Sequence, residues 1–167
     1  MLQKIELDSI KTDPFDAIGN QWMLVAAGNS ESCNMMTASW GGLGIIWGKP
    51  AATCYIRPQR YTREFLDREE YFSLCFFDED KRDVLQMCGS VSGRDCDKTA
   101  RSGLTVMHDK AAPYFAEAKT VLICRKLYRQ QMQPECFIDS EVERGNYPAK
   151  DYHIMFIGEI AECLVDK

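Results

Sequence analysis

Trp22-Met-Leu-Val-Ala-Ala27 is a continuous apolar run, followed by the polar turn Gly28-Asn-Ser-Glu-Ser32 and the alternating stretch Met36-Thr-Ala-Ser-Trp40. This strand–turn–strand pattern is the clearest structural signal in the chain. A Gly-rich segment, residues 41–48, connects the second strand to the third. The further predicted strands are Ala52–Ile56, Tyr71–Phe77, Thr120–Tyr128 and His153–Ala161.

Helical patterns are few and short. Thr62 and Asp80 each stand where a helix cap is expected, a short third helix begins at Asp97, and Gly89 and Gly103 follow the ends of the second and third helix. The predicted helices are 62–70, 80–88 and 97–102. Because the strands and helices do not alternate as βαβ units, the sequence predicts a mainly β, antiparallel sheet or barrel with peripheral short helices, in a single domain over residues 1–167.

Composition excludes several classes of protein. The chain has 167 residues, 46% of them hydrophobic and 27% charged, which is typical of a folded domain and not of a disordered one. Its net charge of −5 argues against a general nucleic-acid surface. No stretch approaches the roughly 18 apolar residues of a membrane span, and the N-terminus has no apolar signal core. We expect no nucleic-acid partner and no membrane partner.

The chain contains eight cysteines and two histidines, and no two cysteines form a C-x-x-C pair. Zinc ribbons and dithiol redox motifs need that pairing, so neither is expected, and no metal site is predicted. Cys54, Cys75 and Cys124 lie inside apolar strand-like runs, which favours thiols packed in a core. A reducing, cytoplasmic location fits this pattern. A dinucleotide fingerprint at Gly42 and a nucleophile elbow at Gly89 both fail, since Trp47 and Val91 occupy the decisive positions.

Two basic turns are candidate anion sites. Arg57-Pro-Gln-Arg60-Tyr61-Thr62 brings two guanidinium groups to a helix start, whose first N–H groups lack partners. A solvated turn with a capping Thr explains the same residues. The loop Ser92-Gly93-Arg94-Asp95-Cys96-Asp97-Lys98 can contact a phosphate through Ser92, Lys98 and backbone N–H groups, or it is an ordinary charged loop.

The third candidate is the strand Asn34-Met-Met-Thr-Ala-Ser-Trp40. Thr37 and Ser39 fall on one face of this strand, and Met36, Ala38 and Trp40 fall on the other. Hydroxyl and backbone groups can bind the polar edge of a heteroaromatic ring, and an aromatic residue can cover the face of the ring. A half-buried strand that ends in a core Trp is the alternative interpretation.

In this order, the three segments resemble the flavin reductase family of FMN-binding split barrels. The N-x-M-T-A-S-W strand, the R-P-x-R-Y-T turn and the S-G-R-D-x-D-K loop match the family pattern, as does Asp151-Tyr-His153-Ile-Met-Phe-Ile-Gly158-Glu-Ile. The resemblance extends from about Pro14 to Cys163 and points to the subgroup similar to flavoredoxin, an FMN-carrying electron-transfer protein. It implies a six-stranded antiparallel Greek-key split barrel with peripheral short helices, and a homodimer with each FMN near the subunit interface.

The resemblance also implies roles for residues. The strand would line the isoalloxazine and ribityl, the turn would approach the phosphate, the loop would close over the phosphate or ribityl side, and His153 would lie near the flavin. The implied cofactor-binding residues are Asn34, Met36, Thr37, Ala38, Ser39, Trp40, Arg57, Arg60, Tyr61, Thr62, Ser92, Gly93, Lys98 and His153. Arg57, Arg60, Arg94 and Lys98 are expected to converge on one phosphate. Cys96 is either reactive in that loop or a surface thiol without a role, and no side chain is expected to be the catalyst.

The resulting expectation is an FMN-binding oxidoreductase that transfers hydride from NAD(P)H to FMN and passes electrons onward, for example to a redox partner protein. One alternative is an electron carrier with tightly bound FMN and no NAD(P)H turnover of its own. Two others are a split-barrel binding protein without flavin chemistry and a relative of the split barrels that oxidise pyridoxamine phosphate. The intact basic turn and Lys98 count against the former, and the motif order counts against the latter.

Overall fold

The computed structural model describes residues 1–166, and Lys167, the last residue of the predicted domain, lies outside them. Within the described residues the strands are β1 (Leu2–Ile5), β2 (Met23–Gly28), β3 (Cys33–Ala38), β4 (Gly41–Ile46), β5 (Lys49–Ile56), β6 (Tyr71–Phe76), β7 (Val106–Met107), β8 (Tyr114–Phe115), β9 (Thr120–Gln131) and β10 (Ile154–Asp166). The α-helices are α1 (Thr62–Arg68), α2 (Arg82–Ser90), α3 (Lys98–Ser102) and α4 (Ser140–Asn146). A π-helix spans Phe15–Gln21, and short 3₁₀ turns span Leu7–Ser9, Glu79–Lys81 and Pro134–Cys136.

The large sheet is antiparallel and runs in the order β3-β2-β6-β9-β10-β5-β4, with β1 paired to the C-terminal part of β10. Its two edge strands, β3 and β4, are separated in the chain by Ser39 and Trp40 alone. That connection spans about 10 Å, whereas seven strands laid flat span about 29 Å. The sheet therefore has to curl into a barrel that stays split between β3 and β4.

The mainly β, antiparallel fold with peripheral short helices is confirmed, although the sheet has eight strands where six were expected. One added strand is β1, and the other is β4, which the Gly-rich segment forms instead of a mere connection. A Cβ at Gly41 would lie 2.5 Å from the carbonyl oxygen of Thr53, so this glycine permits the close approach of β4 to β5. Trp47 and Gly48 both have positive φ, which makes a two-residue hairpin turn between the two strands.

Both predicted helix caps are wrong. Thr62 does not cap α1, because its hydroxyl accepts a hydrogen bond from the side chain of Asn34. Asp80 lies in the 3₁₀ turn ahead of α2, and Gly89 lies inside that helix. The short third helix is present as α3, and the Asp97 carboxylate caps it by accepting from the Ala100 N–H at 3.0 Å.

The side chains of the sheet form two cores, one on each face. Met23 and Val25 of β2 point into the barrel with Phe72 and Phe156, whereas Leu24 and Ala26 pack outward. The outer core lies against α2 and the β7–β8 hairpin, through residues such as Leu85 and Phe115. All eight cysteines are free thiols, and the five buried ones, which confirm the predicted core packing, are Cys54, Cys75, Cys88, Cys124 and Cys163. This arrangement leaves β3 at the barrel edge, in contact with α2.

Candidate functional site

A polar cavity of about 510 Å³ lies beside the start of β3. It is lined by the turn after β2, the end of the basic turn with α1, the loop between α2 and α3 and the start of α3, so all three candidate segments meet there. Lining residues that the sequence singled out are Asn34, Tyr61, Gly93, Arg94, Cys96 and Lys98. Two cations, Arg94 and Lys98, and three carboxylates, Glu31, Asp95 and Asp97, thus share the lining of this polar space.

Asn34 and Gly93 line this cavity and pack tightly together, with Thr62 bonded to Asn34. The Asn34 amide donates to the Thr62 hydroxyl at 2.8 Å, and both side chains are buried. A Cβ added to Gly93 would lie 2.2 Å from the Asn34 amide oxygen. Only glycine therefore allows the loop to approach β3 this closely. Ser92 completes the loop by accepting from the Arg94 N–H at 3.2 Å.

Arg60 and Lys98 meet at the C-terminal end of α2. Arg60 donates to the carbonyl oxygens of Gly89 at 2.6 Å and Cys88 at 3.1 Å, while Lys98 donates to Cys88 at 2.8 Å and to Met35 at 3.0 Å. The last carbonyls of a helix lack partners and carry partial negative charge, so they suit two cations. Burial and the nearby Arg60 guanidinium lower the pKa of Lys98 to about 8.

Arg57 and Arg94 do not join that pair at the helix end. Arg57 forms an ion pair with Asp151 at 2.5 Å and lies over the ring of Tyr147, 5.2 Å from its centroid. Arg94 pairs with Glu64 and stacks over Tyr61 at 4.7 Å, on the wall of the polar cavity. The structure thus brings Arg60 and Lys98 together and keeps Arg94 nearby, but it turns Arg57 toward a different cluster.

The middle of β3 contributes packing instead of exposed donors. Met36 and Ala38 are buried in the barrel core, as the predicted alternation of faces requires. Thr37 points the other way, and its hydroxyl donates to the Leu85 carbonyl of α2. A Cβ on Gly89 would lie 3.4 Å from the Cβ of Thr37, so α2 packs directly on this face.

A second cavity, of about 410 Å³, lies where β3 passes into β4. Its walls include Ser39, Trp40, Tyr55 and Phe15, and its character is apolar and aromatic. Trp40 is 42% exposed and Phe15 is 86% exposed, so the alternative interpretation of Trp40 as a core residue is wrong. Exposed aromatic faces around a cavity suit a flat ring.

His153 lies directly before β10 and packs against Trp40, with 4.8 Å between the ring centroids. Its Nδ1 is 2.9 Å from the Tyr147 hydroxyl. Burial, with a further contribution from the Arg57 guanidinium, lowers the pKa of His153 to about 4, although Asp151 acts in the opposite direction. The imidazole is therefore neutral at physiological pH.

Cys96 is half-buried on the wall of the polar cavity, and its thiol donates to the Ser92 carbonyl at 3.7 Å. Cys33 lines the same cavity, and burial together with the charge of Asp97 raises its pKa. Among residues 1–166, no cluster of three or more His, Cys, Asp or Glu side chains has the spacing of a metal site. In the same part of the chain, no helix has the length and apolar character needed to cross a membrane.

Three site residues escaped the sequence analysis. Phe15 and Tyr55 line the aromatic cavity, and Tyr147 contacts His153. Tyr55 lies in a predicted strand, and nothing in the sequence separates a site residue there from an ordinary aromatic residue of a sheet. Tyr147 directly follows α4, which the sequence did not predict, and it meets His153 only because the chain turns back before β10.

Residues 15–167 match the family model described as "Flavin reductase like domain". No curated protein sequence matches the chain. Among solved structures, the chain is similar to flavoredoxin from Methanosarcina acetivorans, with 21% identity and a TM-score of 0.70 over 88% of this chain and 69% of that one.

It is also similar to an FMN-binding domain of a flavin reductases-like enzyme from Shewanella baltica, with 19% identity and a TM-score of 0.71 over 99% of this chain and 78% of that one. A third similar structure is an NADH:FAD oxidoreductase from Streptomyces globisporus, with 14% identity and a TM-score of 0.65 over 87% and 75% of the two chains. These neighbours confirm the split-barrel fold.

Proposed function

Since the chain belongs to the flavin reductase-like domain family, we propose that it is an FMN-binding oxidoreductase that transfers hydride from NAD(P)H to FMN and electrons onward to an acceptor. The observation that carries this proposal is the pair of cavities at the two ends of β3. Five residue steps separate Asn34 at the polar cavity from Ser39 at the aromatic one, or about 17 Å along a strand. That spacing suits a ligand with a flat ring at one end and a phosphate at the other.

The residues present fit such a cofactor. Lys98 uses two of its three N–H donors on carbonyls, and Arg60 uses two of its five, so both retain donors for a phosphate. Gly93 has no side chain, so the neighbouring loop stays small beside the cavity. At the other end, Trp40 offers a ring face to the isoalloxazine. Bound FMN would supply the redox chemistry by accepting a hydride and releasing electrons one or two at a time.

The protein's own contribution would be binding and orientation. Trp40 and Phe15 would exclude water from the isoalloxazine ring. Ser39 and the backbone beside it would form hydrogen bonds with the polar edge of that ring. His153 would stand beside Trp40 as a neutral group. None of these roles requires an acid or base that changes charge during the reaction.

We also propose that the protein is a homodimer with FMN near the interface. Support comes from the β4–β5 hairpin at the open edge of the sheet, where Ile45 is 73% exposed and Trp47 is 59% exposed. Trp47 lies 6.3 Å from the half-exposed ring of Tyr128, so the apolar surface extends onto β9. Unpaired edges and exposed aromatic patches are typical of surfaces that associate. Five thiols packed in the cores support the further proposal of a reducing, cytoplasmic location.

Anaerobic titration of the FMN-loaded protein tests the function. We expect the purified protein to bind FMN and become yellow, and to bleach within seconds when NADH or NADPH is added. Failure to acquire flavin absorbance would contradict the whole proposal. A yellow protein that bleaches only with a chemically reduced partner protein, and not with either nicotinamide, would show an electron carrier and contradict the hydride-transfer step.

A further inference from the structure

Tyr147 occupies a position that the proposed function has not explained. It follows α4, is 5% exposed, and packs among aromatic rings that include Phe137 and Tyr152. Its hydroxyl lies 2.9 Å from His153 Nδ1 and 3.4 Å from the Met132 sulfur. One hydroxyl proton therefore has two candidate acceptors.

The nitrogen is the better acceptor of the two. A thioether sulfur accepts hydrogen bonds weakly, whereas a neutral imidazole nitrogen with a free lone pair accepts them well. Burial raises the pKa of Tyr147, so the phenol keeps its proton and remains a donor throughout the physiological range. A hydroxyl that donates to Nδ1 places the single ring proton of His153 on Nε2.

The Nε2 side of His153 faces away from this contact. No described residue bonds to Nε2, and within residues 1–166 no buried side-chain nitrogen or oxygen lacks a partner, so Nε2 is accessible to solvent or ligand. The ring packs at 4.8 Å against Trp40, which lines the aromatic cavity. Met132 lines that cavity too, so the Tyr147–His153 pair lies directly behind its wall.

The charged and titratable groups around His153 are Arg57, Asp151 and Tyr147. Arg57, which follows β5, opposes protonation of the imidazole, and Asp151 of the loop before β10 favours it. The two are paired with each other at 2.5 Å, which offsets much of both effects. Burial then decides the charge, and the ring stays neutral.

We propose that Tyr147 is a positioning residue, which holds His153 in the Nε2–H tautomer and so presents an uncharged hydrogen-bond donor beside Trp40. A role of this donor in catalysis rests on the proposed function. The assignment of the Nε2–H tautomer does not depend on that function. A neutral N–H can bind a carbonyl oxygen or a ring nitrogen of a heteroaromatic ligand that lies beside Trp40. It cannot act as a titrating acid above pH 5, so His153 would add no step to the pH dependence between pH 6 and pH 8.

Nuclear magnetic resonance of the flavin-free, ¹⁵N-labelled protein tests the tautomer directly. The chain has two histidines, and His108 is exposed, so its signals provide an internal reference. We expect His153 to show a single Nε2–H tautomer that does not titrate above pH 5. In Tyr147→Phe we expect both tautomers, and a titration midpoint higher by about 0.7 unit, the shift that corresponds to one lost hydrogen bond to the neutral ring.

Tyr152→Phe is the matched control, because this buried tyrosine donates to Glu143 instead of His153. We expect this variant to leave the His153 signals unchanged. That result would show that the changes in Tyr147→Phe do not come merely from losing a nearby phenol. An Nδ1–H tautomer in the unsubstituted protein would overturn the proposal. So would a tautomer ratio that is the same in Tyr147→Phe as in the unsubstituted protein.

Substitution of His153 tests the role of the donor in the FMN-loaded protein. His153→Gln keeps an N–H donor, and His153→Ala removes it. We expect NAD(P)H-dependent bleaching to slow about 10-fold in the Ala variant and less than about threefold in the Gln variant, corresponding to one hydrogen bond. Equal rates in both variants would overturn the donor role. A protein that binds no FMN contradicts the proposed function, and the resonance experiment still decides the role of Tyr147.

Discussion

Arg60 shows how one side chain can serve both the fold and a ligand. Its guanidinium is held by the carbonyls of Gly89 and Cys88, and Lys98 shares the second of these. The end of α2 therefore fixes two cations next to the polar cavity without neutralising them with a carboxylate. Fixed cations with spare donors bind a phosphate without the entropic cost of ordering long side chains.

We expect Arg60→Ala to weaken FMN binding about 10-fold and riboflavin binding much less, because only FMN carries the phosphate that loses a charged hydrogen bond. Fluorescence titration of both flavins measures the two dissociation constants. Arg63→Ala is the matched control, since Arg63 lies one turn further on and pairs with Asp67. If Arg60→Ala weakens the binding of FMN and of riboflavin equally, Arg60 stabilises the end of α2 and does not bind the phosphate.

At the residue scale, sequence reasoning found most of the polar cavity but misplaced Arg57. Asn34, Gly93 and Lys98 come from motifs whose spacing fixes them relative to one strand and one loop. Arg57 stands three residues before Arg60, yet it reaches Asp151, more than 90 residues later in the chain. The direction of a side chain in a turn depends on such distant partners, so it could not be read from local spacing.

Among the elements, α3 has the most direct link between sequence and site. It is five residues long, too short to be stable through its own hydrogen bonds, and it carries Lys98 as its first residue. Asp97 caps it by accepting from the Ala100 N–H, and Gly103 ends it with φ of +68°. The cap therefore helps to hold Lys98 against the end of α2.

We expect Asp97→Ala to lower the free energy of unfolding by about 1 kcal/mol, the usual cost of losing an N-cap. Urea denaturation followed by circular dichroism measures the free energy of unfolding. The slope of this free energy against urea concentration should be the same in both proteins. Asp95→Ala in the same loop is the control, since Asp95 is exposed. Equal destabilisation by both substitutions would show that the loss of acidic charge, not the cap, is responsible.

The misassigned elements have a common physical cause. The three glycines of Gly41–Ile46 lower its strand propensity, yet this segment forms β4, where Gly41 permits the close approach to Thr53 of β5. Likewise, Thr62 has the side chain of a helix cap but bonds to Asn34. Tertiary contacts override local preference at both places, and a single sequence does not contain those contacts.

At the scale of the whole molecule, the class of fold was predictable because six strands have clear apolar patterns. The split of the barrel was expected only from the resemblance, and in the structure it follows from the two-residue link between the edge strands. That link consists of Ser39 and Trp40, and it places Trp40 at the mouth of the aromatic cavity. The constraint that curls the sheet thus also positions the ring-binding end of the candidate site.

The open edge also carries the final prediction, which concerns assembly. Trp47 is 59% exposed at the tip of the β4–β5 hairpin, and a buried Trp is among the strongest contributors to protein interfaces. We expect the protein to sediment as a dimer at micromolar concentration, and Trp47→Lys to weaken the dimer about 30-fold or more because it places a charge in an apolar contact. Trp47→Phe, which keeps an aromatic ring, should remain dimeric. A monomeric unsubstituted protein, or a Trp47→Lys variant as dimeric as the unsubstituted one, would contradict an interface at this hairpin.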